Sequence, residues 1–182
     1  MNPDFEHRPV QFEGTSNKKS TLKASDFRGK VPMVVTFVGE PDRKNDAIIA
    51  DLNTSLIRFG ERRVQLLVVV DGDPGAISER LQLNVPLISD DGLAEELNAN
   101  RNDDDPVVSI ILGNDGMMLD VVRQLPAKDQ AVAILAAVDR LMSDFPERFQ
   151  VLPEHNSGNA LRAETLADPA KLIPDFLSES KL

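Results

Sequence analysis

Three stretches of this chain carry almost nothing but apolar, largely β-branched residues: Val31-Pro32-Met33-Val34-Val35-Thr36-Phe37-Val38, residues 64–70 and residues 107–112. A strand with one wet face alternates polar and apolar residues. Unbroken runs imply strands buried on both faces, at the centre of a covered sheet. Pro32 is tolerated because it falls in the first residues of its run. Turn signals close each run: Gly39, then Asp71-Gly72-Asp73-Pro74-Gly75, then Asn114-Asp115-Gly116. A membrane span is excluded by length, because the apolar runs stop far short of about 20 residues.

Between the runs the period changes. Over residues 42–59, Ile48, Ile49, Leu52, Leu56 and Phe59 recur every three or four positions, which predicts an amphipathic helix stopped by Gly60. Residues 76–83 and 93–98 predict short helices on either side of an extended piece at 85–90. Asn114-Asp115-Gly116 predicts a hairpin from 107–112 into an antiparallel strand at 117–122. Residues 131–142 predict a last helix with Val132, Leu135, Val138, Leu141 and Met142 on one face. Residues 5–30 read as an N-terminal extension. The expected architecture is an α/β domain over residues 1–144, a mixed central sheet flanked by helices, with a C-terminal extension over 145–182.

Composition removes whole classes of chemistry. The chain has no cysteine, so disulfides, thiolate metal sites and thiol nucleophiles are excluded. Its two histidines, His7 and His155, are too few for a multi-histidine metal centre and read as surface residues. A net charge of −10 argues against nucleic acid and anionic membranes as partners. The start, Met1-Asn2-Pro3-Asp4-Phe5-Glu6, has neither a basic nor an apolar targeting segment, so a cytoplasmic location is expected. No phosphate-binding pattern occurs, and the sequence implies no cofactor.

Several motifs occur in a telling order. Leu22-Lys23-Ala24-Ser25-Asp26-Phe27-Arg28-Gly29-Lys30 resembles the L-x-x-x-D-F-R-G-K opening of peroxiredoxins of the alkyl hydroperoxide reductase and thiol-specific antioxidant type. Pro86-Leu87-Ile88-Ser89-Asp90-Asp91-Gly92 resembles their F-P-L-L-S-D-x-x-G segment, and residues 109–121 resemble their T-F-x-I-D-x-x-G-x-x hairpin. The resemblance spans residues 5–144 and implies a thioredoxin-like fold, with an antioxidant or oxidoreductase family label.

The departures bear on function. The family's peroxidatic cysteine follows the first core strand, and this chain has Gly39-Glu40-Pro41-Asp42-Arg43-Lys44-Asn45 there. Against the thioredoxin pattern the paired cysteines fall on Asp42 and Asn45. The family's arginine falls at Val107, and thioredoxin's cis-proline lies beside Pro106. These four are degenerate active-site positions. Neither Asp42 nor Asn45 can attack a peroxide, because the reaction needs a thiolate.

In such a fold the loops before Asn45 and before Pro106 meet at the carboxyl edge of the sheet, where open α/β sheets bind ligands. That edge carries Glu40, Asp42, Asp103, Asp104 and Asp105. Carboxylates from two loops suit a hard cation such as calcium or magnesium, and equally suit a solvated acidic loop. Asp42 also reads as a helix cap. Two functions follow. One is a redox-inactive peroxiredoxin-like protein acting by binding or assembly, with a protein partner or a second copy engaged through the C-terminal extension and its stripe of Leu172, Ile173, Phe176 and Leu177. The other is a non-thiol or metal-assisted enzyme at the acidic edge.

Overall fold

The computed structural model describes residues 8–102, 106–123 and 129–152. The three apolar runs become β3 (Met33–Val38), β4 (Gln65–Val70) and β6 (Val107–Leu112), and every residue of all three is buried. They form the middle of a five-stranded sheet ordered β5-β4-β3-β6-β7, with β5 at Leu87–Ser89 and β7 at Met118–Val122. β3, β4 and β5 are parallel, whereas β6 runs antiparallel to β3 and β7 antiparallel to β6. The sheet is mixed, as the strand-helix order predicts.

Alternate residues of the central strands feed two separate cores. Val34, Val38, Leu66, Val68, Val70, Val107 and Ile111 face helices α1 (Arg43–Thr54), α2 (Leu56–Glu61) and α5 (Gln130–Asp144), which contribute Ile48, Ile49, Leu52, Phe59, Ile134, Leu135 and Val138. Val35, Phe37, Leu67, Val69, Val108 and Ile110 face the opposite layer. There Leu93, Ala94 and Leu97 of α4 (Leu93–Glu96) and its end pack beside Val10, Phe12, Leu22, Ala24 and Phe27. Residues 8–30 are therefore a wall of the second core rather than an extension. They fold back as a hairpin, β1 (Glu13–Thr15) against β2 (Thr21–Lys23).

Two expectations about helices need correction. The single helix at 42–59 is two, broken at Ser55. Asn53, Thr54 and Ser55 are poor helix formers, and the Asn53 side chain turns away to accept hydrogen bonds from the Asn84 and Val85 amides at 2.7 and 2.9 Å. Gly60 lies inside α2, and the left-handed Arg63 (φ 55°) marks the reversal of the chain instead. On α5, Val132 is 49% exposed, and Ala131, Ile134, Leu135, Val138 and Leu141 make the buried face. The spacing 131-134-135-138-141 suits a helix period better than one starting at 132.

Asp73 and Pro74, part of a turn signal, start a helix: α3 (Pro74–Leu81) is capped by the Asp73 carboxylate, which accepts from the Gly75 and Ala76 amides. Past α5, Phe149 is buried, and the Leu152 amide donates to the Lys30 carbonyl at 2.8 Å. No described helix is long and apolar enough to cross a membrane.

Candidate functional site at the carboxyl edge of the sheet

β3 and β4 end side by side, because Val38 pairs with Val70. Beyond them Gly39 and Asp71 stand at the same edge, and the register of Val38 with Val107 brings Pro106 to it as well. Val107 is buried as a strand residue and presents no group there. α1 starts at this edge.

The first turn of α1 explains Asp42 and Asn45. Asp42 has an extended backbone, and its carboxylate accepts from the Asn45 amide at 2.6 Å. That satisfies one of the free donors that every helix start leaves open. The Asn45 side chain is buried and donates from Nδ2 to the Glu40 carbonyl at 2.8 Å, pinning the loop to the helix. Glu40 thus contributes its backbone, and its side chain is exposed.

One functional-site residue is invisible from sequence: Arg101. It follows α4 by a few residues and reaches back over the edge, where its Nη2 donates to Asp71 Oδ2 at 2.6 Å. A β-carbon on Gly39 would sit 2.9 Å from Asn45 Nδ2 and would overlap the Arg101 guanidinium, so only glycine leaves that space open. The guanidinium lies over Gly39, four-fifths buried, with its charge answered by Asp71. An arginine at the edge was expected only at position 107, and no periodicity marks a residue delivered by a loop.

Asp42 serves as a cap and Asn45 as a brace, while Arg101 and Asp71 neutralise one another. None of these is a nucleophile suited to a peroxide. Asp103, Asp104 and Asp105 lie outside the described residues, as do the peptide bond before Pro106, both histidines and the stripe from Leu172 to Leu177. Among the described residues, no three His, Cys, Asp or Glu side chains come together as a metal ion requires.

No protein-family model matches this chain, and no curated protein matches its sequence. Solved structures do match. Peroxiredoxin Q of Xanthomonas campestris is 15% identical over 71% of this chain and 90% of its own, with a TM-score of 0.62. Peroxidoxin BcpB of Mycobacterium tuberculosis is 16% identical over 75% and 97%, with a TM-score of 0.63. The reduced 2-Cys peroxiredoxin of Plasmodium vivax is 16% identical over 84% and 89%, with a TM-score of 0.60. The chain has their thioredoxin-like fold, as its motifs imply, and it carries no cysteine.

Proposed function

We propose that this chain is a redox-inactive, cytoplasmic peroxiredoxin-like protein that works by binding or assembly. The observation that supports this is the first turn of α1. Where a thiol would stand, Asp42 and Asn45 hold backbone groups, and the Arg101–Asp71 pair fills the space above Gly39. A scaffold of this kind kept without its reactive group is free to act through its surfaces, since fold does not dictate chemistry. The C-terminal extension, 145–182, is the region we assign to a protein partner or a second copy. Its first residues are anchored by Phe149 and by the Leu152–Lys30 hydrogen bond.

The test has two arms. Full-length protein with hydrogen peroxide and an excess of thiol reductant should consume peroxide at the buffer rate; turnover above that rate refutes the reading. Affinity capture from the native host should then retain a specific protein on the full chain and lose it on a chain ending at Leu152. Retention by neither, with the full chain monomeric, removes the binding role. A metal-assisted enzyme gains no support from the described residues and is not pursued.

A further inference from the structure

The margin of the sheet at β7 pairs with no further strand among the described residues, and between it and α5 runs an open groove of about 420 Å³. Its apolar lining is small: Val121 and Val122 from the strand, Ala133, Ala136 and Ala137 from the helix. Arg123 and Arg140 line it too. Val132, one helical turn before Ala136 and so on the same face, is half exposed. An apolar floor with two arginines beside it fits an extended segment that carries one bulky apolar residue between acids.

The chain holds such a segment close by. Residues 1–7 lie outside the described ones. Three residues later, the Val10 amide donates to the Gly116 carbonyl at 2.9 Å, in the turn that leads into β7. Traced backwards from Val10, the chain starts at the foot of the free margin. Nine extended residues reach about 30 Å, and a five-residue strand is about 17 Å long, so the whole groove is within range. The sequence there is Asp4-Phe5-Glu6-His7.

We propose that this N-terminal segment straps the free margin of its own sheet, with Phe5 seated against Ala133, Ala136 and Ala137 and with Asp4 and Glu6 toward Arg123 and Arg140. Side chains carry the contact more than a strand ladder does, because the Val121 amide already donates to the Asp120 carboxylate at 2.8 Å and Arg140 holds that carboxylate in turn. The apolar stripe of the C-terminal extension is a weaker competitor. It begins 20 residues past Leu152, whereas Phe5 is five residues from Val10, and a shorter tether gives the higher effective concentration.

The chain has no Trp and no Tyr, so Phe5→Trp in the full-length protein places a single indole at the point in question. Its emission should be blue-shifted, protected severalfold from acrylamide quenching and independent of protein concentration. Adding Ala136→Arg, at an exposed helix position that accepts arginine without loss of fold, should return the emission to that of an exposed indole. An indole that is buried but indifferent to Ala136→Arg overturns the proposal. So does one buried only at high concentration, which assigns the groove to a second copy. The wild-type side chain is read by amide exchange, which decides if the larger indole does not fit. Phe5→Ala should speed exchange severalfold in β7 and across residues 132–140 and nowhere else. An unchanged exchange pattern overturns the proposal whatever the indole reports.

Discussion

The two margins of the sheet meet the same physical problem and answer it differently. A marginal strand exposes unpaired amides and carbonyls that invite foreign strands. At β5 the chain covers them. The Asn17 amide donates to the Leu87 carbonyl at 3.0 Å, Asn17 Oδ1 accepts from the Leu87 amide at 2.9 Å, and Ser16 bridges Ile88. Asn17 Nδ2 also donates to Ser78 Oγ and the Val85 carbonyl, so one side chain ties the first hairpin to the margin. At β7 the chain only blunts the edge: Asp120 occupies the Val121 amide, and the pairing with β6 slips between Ile111 and Leu112. Covering uses buried hydrogen bonds and is therefore hard to undo. Blunting uses exposed charge and is easy to undo.

The contrast predicts a ranking of mutational effects. Asn17→Ala should be the most damaging, because it leaves the fully buried Leu87 amide without its acceptor, at about 2 kcal/mol. Urea unfolding measures this, and a loss no larger than that at β7 would erase the distinction between the margins. Gly14→Ala comes next. A β-carbon there would lie 3.1 Å from Ile88 Cβ, so the hairpin must ease off β5, at about 1 kcal/mol by the same assay. Stability unchanged or improved would mean that the hairpin rests on the margin loosely.

At β7, Asp120→Ala removes the brake and an exposed ion pair, so stability should fall by no more than about 0.5 kcal/mol. Its main effect should be association that rises with concentration, seen by sedimentation. A monodisperse variant would show that the slipped register alone suffices.

The smallest effect belongs to ion pairs away from both margins. Hydrogen bonds from Arg80 and Arg62 hold the Asp46 and Asp139 carboxyls below the usual carboxylate range, with burial opposing in part. A carboxyl with a lowered folded pKa adds stability that is full above its unfolded value, near 4, and is lost as pH falls through the folded value. Asp139→Asn should therefore flatten the acid limb of a pH–stability curve by about 0.5 kcal/mol, since the pair is largely solvent-screened. An identical limb in the variant would show that the pair adds nothing.

β3, β4 and β6 were legible in the sequence to within two residues, because burial on both faces leaves a run with no polar interruption but Thr36, Gln65 and Ser109. Thr36 and Ser109 satisfy each other across β3 and β6 at 2.8 Å. The break at Ser55 was not legible, since the apolar period continues through it and the cause is a contact from Asn53 to residues 84 and 85. Nor was the face of α5: moving the stripe by one residue puts Val132 inside or outside, and only packing against β3 and β6 chooses. At the site, the cap at Asp42 could be read from its place before a helix, while Arg101 could not.

Taken alone, the sequence decides that no thiol chemistry is possible and that a double-sided sheet forms, because both follow from which residues are present and how neighbours alternate. The closure of one margin by Asn17, the arginine over Gly39 and the open groove beside β7 depend on residues far apart in the chain being brought together. Their hydrogen bonds and close contacts exist only after the chain has folded, so local pattern carries no trace of them.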